Sequence, residues 1–304
     1  MPRKTFFCIN DNVPATTVEL LSEACAARDV DYVEIDARSF TYEDELQLSG
    51  DGTELMYRPA VSMAAIRVEQ FLFAPGVATF YAKRTSPFFD PLSSTLIHQR
   101  AGIPVPRTIY CYTTDRDLLR TYVRLLGGFP IVMKMSGYSS GIGVMRIDSY
   151  ASLFSTLDFI VEGGRYPLLT SYIDDAIHWR VVVLGDRAIA AYRNVTEQDD
   201  FRTYGSSDPA DFTDTVPERM AEIAVAAVNV LENEFGGVDI LEHASGRYYL
   251  LEANFPCYFG TSTEVAGIDI AGPMIDYLLA KAKRIRREGK KKGEGREKEG
   301  KRGG

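Results

Sequence analysis

Apolar positions in the first part of the chain recur with two periods. KTFFCI (4–9) is a short apolar run, DYVEID (31–36) alternates, and LMYRP (55–59) is an apolar stretch stopped by proline. Each reads as a strand. Between the first two, Val18, Leu21, Ala24 and Cys25 fall at helical spacing over 16–28. This β-α-β order predicts a small α/β lobe over residues 1–86.

A second unit, 87–166, is predicted to hold a helix at 92–101, broken by AGIPVPRT (101–108), and a helix at 115–126 closed by Gly127 and Gly128. Strand FPIVMK (129–134), loop SGYSSGIG (136–143), strand VMRID (144–148) and a helix over 149–162 follow. The third unit, 167–285, opens with PLLTSYI (167–173). WRVVVLGD (179–186) and AIAAYRNV (188–195) predict a hairpin about Gly185-Asp186, and residues 200–216 read as irregular. Met220, Ile223, Ala224, Ala227, Val228 and Leu231 line one stripe of a helix predicted over 217–235. GVDILEH and RYYLLEANF are strands on either side of Ser245-Gly246, and 268–284 is a closing helix. The expected class is α/β, with an N-terminal lobe, a central flap and a C-terminal lobe.

Composition narrows the setting. The four cysteines, Cys8, Cys25, Cys111 and Cys257, form no C-x-x-C pair, so the expectation is free thiols in a reducing, cytoplasmic compartment. No apolar run reaches the roughly 18 residues of a membrane span, so no membrane partner is expected. The net charge of −8 is unevenly spread. From Lys281 onward there are 12 Lys/Arg and 4 Asp/Glu, which leaves 22 basic and 38 acidic of the chain's 34 and 42. An acidic body disfavours nucleic acid as a partner. The tail, 286–304, is poor in apolar residues and is expected to be disordered and solvated; binding to an acidic partner is the alternative.

Three groups of residues carry candidate chemistry. Lys134 ends an apolar strand and leads into Gly137, Gly141 and Gly143. Glycines let backbone N–H groups approach an anion, and lysine supplies a point charge for phosphate. The next element is a strand and G-K-[ST] is missing, so this is not a P-loop. A hairpin carrying a surface lysine would look the same. Next, Glu252 and Asn254 lie two apart on one strand and share a face. A two-residue turn at Ser245-Gly246 would pair Ala244 with Arg247, and Asp239 with Glu252. Two carboxylates opposed on one face repel, and an oxygen-liganded Mg²⁺ would resolve the conflict. A register slip, or carboxylates facing water, would remove that need. Third, Arg180, Arg193 and Arg202 suit phosphate or carboxylate binding, or serve solubility.

In this order the motifs resemble the ATP-grasp superfamily, most closely its RimK-type branch of carboxylate–amine ligases. The resemblance runs over about 90–283 and rests on GGFPIVMKMSGYSSGIGV (127–144), PLLTSYI (167–173), HWRVVVLGDRAIAAYRN (178–194), DFRTYG (200–205), GVDILEH…YYLLEANFP (237–256) and GIDIAGPMI (267–275). It implies ATP with two Mg²⁺ ions, Mn²⁺ being an alternative. Lys134 would hold the α/β-phosphates, and Gly137, Ser139, Ser140, Gly141 and Gly143 would close over the β/γ-phosphates. Ser171, Tyr172 and Ile173 would contact adenine. Asp239, Glu252 and Asn254 would ligate metal, and Arg202, Arg180 and Arg193 are the catalytic candidates. His178 stands where the family's D-x-R has Asp, Tyr204 where Asn is usual, and Thr170-Ser171 where Gln-Glu is frequent. Pro91 takes the place of an earlier nucleotide-binding lysine, for which Lys83 is the candidate replacement.

The implied function joins an amino-acid or peptide carboxylate to an amine through an acylphosphate, releasing ADP. Two alternatives stand beside it: modification of a ribosomal peptide, and nucleotide binding without catalysis. Self-association is left open.

Overall fold

The computed structural model describes residues 3–42, 48–83, 94–135, 141–197 and 199–300, with side chains as far as 289. In the first lobe, β1 (Lys4–Asn10) lies between β2 (Val30–Asp36) and β3 (Glu54–Tyr57), all parallel. Helix α1 (Ala15–Ala26) buries Leu21, Ala24 and Cys25 against this sheet, as its spacing predicts. A further helix, α2 (Met63–Leu72), has no counterpart in the sequence reading. Ser62 caps it by accepting from Ala65 N (3.1 Å). Its buried Glu69 accepts from Arg58 Nε (2.7 Å) and from the Tyr81 hydroxyl (2.9 Å), so the charge is hidden with its partners.

The flap contains α3 (Ser94–Arg100), β4 (Thr108–Tyr110), α4 (Arg116–Leu125), β5 (Ile131–Lys134), β6 (Val144–Ile147), α5 (Tyr150–Glu162) and β7 (Leu168–Ser171). Its strands form one antiparallel sheet in the order β4-β7-β5-β6. Strand alternation sends Ile131, Met133 and Leu169 into the core beneath α4 and α5. Lys134, Leu168, Thr170 and Thr108 face the other way, toward a cleft.

The largest sheet is built on β8 (Ala176–Leu184) and β9 (Arg187–Thr196), the hairpin expected about Gly185-Asp186. Residues 200–216 are more ordered than expected. β10 (Thr203–Gly205) and β11 (Phe212–Thr213) both pair with β9, joined through a 3-10 turn at Pro209–Asp211. Helix α6 (Glu218–Asn229) ends earlier than the predicted 235, because Glu232 turns the chain at φ 61°. Phe235 already starts β12 (Phe235–His243), which pairs with β8 and with β13 (Tyr248–Asn254). Helices α7 (Gly260–Ala266) and α8 (Ala271–Gly300) close the chain. α8 runs past 284 and over most of the segment expected to be disordered. Lys, Arg and Glu have high helix propensity, and turns already packed supply the nucleus.

The valine run of β8 is buried on both faces. Val181 and Val183 pack toward α6; Val182 and Leu184 pack toward α8 and the first lobe. Lys281 fixes this second junction. Its Nζ donates to Thr79 O (2.9 Å) and Tyr81 O (2.5 Å) and pairs with Glu234. Burial lowers the Lys281 pKa, opposed by Glu234. Breaking a buried ion pair by removing one partner costs about 3–5 kcal/mol. Lys281→Ala should therefore lower the denaturant-unfolding free energy by that much, and a loss below about 1 kcal/mol would show the junction is held otherwise.

Candidate active site

A cleft of about 290 Å³ separates the flap sheet from β13. Lys134, Leu168, Thr170 and Thr108 form one wall; Leu250, Leu251 and Glu252 form the other. Lys134 reaches the cleft because it alternates with Met133, which is fully buried. Its rim includes Ser94, Thr95 and Pro106.

Across the central sheet, Tyr192, Arg180, Asp239 and Glu252 stand in one row on four adjacent strands. The expected pairing of Asp239 with Glu252 occurs, by a different route from a two-residue turn. His243 N donates to Arg247 O (2.9 Å), so the turn is one residue longer than assumed. A bulge then shifts the register between Asp239 and Ile240, where Leu250 pairs with Ile240 and Leu251 is the extra residue. The two departures cancel.

Asp239 is 5 % exposed. Its Oδ1 lies 3.1 Å from Arg180 Nε and 3.2 Å from His178 Nε2. The Arg180 contact is an ion pair whose N–H is not aligned for a hydrogen bond. Burial alone would raise the Asp239 pKa; Arg180 and His178 outweigh it, and the pKa is lowered. Glu252 is exposed into the cleft yet enclosed by protein at its floor. Desolvation there and the neighbouring Asp239 charge raise its pKa, partly offset by Asn254. Asn254 Nδ2 donates to Glu252 Oε1 (2.8 Å), as their shared face predicts. The row needs Gly237: a Cβ there would sit 2.6 Å from an Arg180 guanidinium nitrogen and 2.8 Å from Cys257 Cβ.

The donor set suits a hard cation. Two carboxylates and an amide oxygen are all hard oxygen ligands. Among the described residues no three His, Cys, Asp or Glu converge on one metal. Mg²⁺ is commonly held by one or two carboxylates together with waters and phosphate oxygens.

The arginines separate. Arg180 belongs to the row. Arg202 Nη2 and Nε pair with Asp200 Oδ2 (2.6 and 2.9 Å), which holds the Asp200 carboxyl at about 2. Its Cδ lies 3.2 Å from where a Gly141 Cβ would be, so it abuts the glycine loop. Arg193 is not brought to the row. It pairs across from Trp179, on the α6 face of the sheet, with its guanidinium 5.1 Å from that ring. Strand period two excludes a residue one step from Tyr192 from the same face.

Ser171 continues β7, and its N–H donates to Arg107 O (2.9 Å); Tyr172 lies under the Arg146 guanidinium at 4.9 Å. Ile173 follows directly. Gly141 and Gly143, at φ 74° and 76°, turn the chain into β6. Gly137, Ser139, Ser140 and Pro91 lie outside the described residues. Lys83 pairs with Glu232 and does not line the cleft. Thr108, Leu250 and Leu251 were not singled out as site residues from the sequence; alternation from Glu252 along its strand would have found Leu250, whereas Thr108 reaches the cleft only through the pairing of β4 with β7.

A family model for the RimK-like ATP-grasp domain matches residues 90–278. A probable alpha-L-glutamate ligase of Enterobacter sp. (strain 638) is 30 % identical over 197 residues, 62 % of this chain and 63 % of that protein. A ribosomal protein bS6–L-glutamate ligase of Escherichia coli O139:H28 (strain E24377A / ETEC) is 30 % identical over 193 residues, with the same coverage. The chain thus spans a little under two thirds of the length of these curated relatives. The fold of the ATP-grasp ligase PsnB, solved with minimal precursor, Mg and ADP, superposes with a TM-score of 0.67 at 19 % identity, covering 91 % of this chain and 98 % of that one. The family match takes in well over half the chain, with Lys134 and the Asp239–Glu252 pair inside it, and this α/β protein belongs to the RimK-like ATP-grasp family.

Proposed function

We propose that the chain is an ATP- and Mg²⁺-dependent carboxylate–amine ligase. One observation carries this: Lys134 and Glu252, the latter paired across the sheet with buried Asp239, line the same cleft from two different sheets. A lysine on one wall and, on the other, a carboxylate backed by a second one suit a polyphosphate bridged to the protein by cations. The lobes are read as 1–86, 87–166 and 167–285.

In this reading Lys134 neutralises phosphate charge, and the loop through Gly137, Ser139, Ser140, Gly141 and Gly143 covers it. Ser171, Tyr172 and Ile173 border the adenine. Asp239, Glu252 and Asn254 would hold the two Mg²⁺ ions. When bound, these supply positive charge to the phosphoryl oxygens during transfer. A substrate carboxylate oxygen attacks the γ-phosphorus, the bond to ADP breaks, and an acylphosphate forms. An amine then attacks the acyl carbon, phosphate leaves, and the amine loses a proton. Arg202, beside Gly141, is placed to stabilise the charge on these species; Arg180 keeps Asp239 ionised.

The carboxylate and the amine come from amino acids or from a peptide. A peptide substrate is one reading, in line with the fold likeness to PsnB, which was solved with a precursor. The family match to this chain begins only at residue 90.

Three outcomes are expected. Turnover across a panel of amino acids and peptides should release ADP and phosphate only with both substrates present; AMP and pyrophosphate would mean adenylation and reject the mechanism. Steady ATP binding without turnover would favour a non-catalytic role. Lys134→Ala should lower the ligation rate by about 10²–10³, the worth of one donor aimed at developing charge, while the melting temperature stays close to wild type. Mg²⁺ added with ADP should raise the wild-type melting temperature. Glu252→Gln should remove most of that rise, and an unchanged metal response would refute the ligand assignment.

A further inference from the structure

His178, on β8, joins parts of the site that the chemistry above treats separately. Its side chain is 14 % exposed. Nε2 lies 3.2 Å from Asp239 Oδ1, and Nδ1 is hydrogen-bonded to Thr203 Oγ1. The Asn194 amide, at 3.4 Å from Nε2, is the third neighbour. A carboxylate only accepts, so Nε2 carries the proton toward Asp239, and Nδ1 shares a hydrogen bond with the Thr203 hydroxyl.

Thr203 directly follows Arg202 and starts β10, an edge strand of three residues. Arg202 is held to Asp200, and its Nη1 is 3.5 Å from Gly141 O. An unbroken series of contacts therefore runs from buried Asp239 through His178, Thr203 and Arg202 to the end of the glycine loop. The middle of that series is its weakest part. A three-residue edge strand has few backbone bonds of its own, and such segments open at low free-energy cost. Its placement depends on the side chains that tie it down, and His178 ties it to the carboxylate that would contact a cation. Ligation of Asp239 alters what Oδ1 offers to Nε2. The ring then settles differently, and the hydroxyl on Nδ1 goes with it.

We propose that His178 is a positioning residue that transmits cation and nucleotide occupancy at Asp239 to the segment 199–205, and so sets where Arg202 stands against Gly141. A ligand shifts a segment only through contacts that differ between its two states, and the imidazole bridge supplies that contact. The inference rests on the reading that Mg²⁺ and ADP bind at the Asp239–Glu252 pair.

The test is amide hydrogen exchange of 199–205 with and without Mg²⁺ and ADP, in wild type, His178→Ala, Thr203→Val and Thr203→Ser. Mg²⁺–ADP affinity is measured by calorimetry on the same samples. Wild type should gain about tenfold protection in 199–205 on binding, a typical size for coupled sites. Thr203→Val and His178→Ala should still bind Mg²⁺–ADP but lose most of that gain, and Thr203→Ser, which keeps the hydroxyl, should recover it. If His178→Ala does not fold, the valine–serine comparison at 203 decides. Full protection in Thr203→Val with binding intact would overturn the coupling and leave the proposed function standing. Failure of wild type to bind Mg²⁺–ADP would overturn the proposed function, and the coupling with it.

Discussion

A carboxylate that is 5 % exposed must be matched by charge, and the arrangement of this site follows from how Asp239 is matched. Arg180 and His178, both on the neighbouring strand β8, hold it ionised. Burial and the Asp239 charge directly opposite raise the Glu252 pKa. On the open side of the pair, Lys134 lines the opposite wall of the cleft from Glu252. A hard cation with a phosphate ligand would separate the two carboxylate charges without disturbing the Asp239–Arg180 contact.

The fold keeps this row rigid and in place. β8 is apolar on both faces at its C-terminal half, where Val182 and Leu184 seal against the first lobe and α8. The same face turns polar at His178 and Arg180, which flank Asp239. Tyr57, Phe80 and Phe235 lock the first lobe to the Leu184 end of the sheet, with ring centroids 5.2–5.7 Å apart. On the other face Glu242 accepts from Trp179 Nε1 (2.8 Å) and the Tyr248 hydroxyl (3.1 Å), pinning β8 to β12 and β13. Gly237 leaves the space that the Arg180 guanidinium occupies.

Much of this was legible in the residues, for unequal reasons. Lys134 could be placed because a strand of apolar residues leaves one charged side chain at its end, and alternation alone puts it on the open face. The Asp239–Glu252 pairing was also read correctly, but from an idealised turn; a longer turn and a bulge at Leu251 happened to compensate. Neither irregularity has a local signal as strong as an Asn-Gly turn. Arg193 was a candidate because residue type says nothing of strand face until the register is known. Helix α2 passed unnoticed, since its buried face includes Glu69, and a charge on the core side breaks the apolar stripe. The closing helix runs on because its Lys-, Arg- and Glu-rich sequence reads equally as solvated coil or as helix. His178 looked like a departure from a motif; its bonds to Asp239 and Thr203 depend on pairing between strands distant in sequence.

The central claim is that the opposed carboxylates exist to hold a cation against a nucleotide. A crystal structure of the protein grown with Mn²⁺ and ADP tests it most directly, because manganese is located by its anomalous scattering. The account predicts a peak bridging the Asp239 and Glu252 carboxylates and the diphosphate, with Lys134 on the phosphate chain. ADP bound in the cleft with no metal at that pair, or Mn²⁺ bound elsewhere while Glu252 stays directed at Asn254, would contradict it.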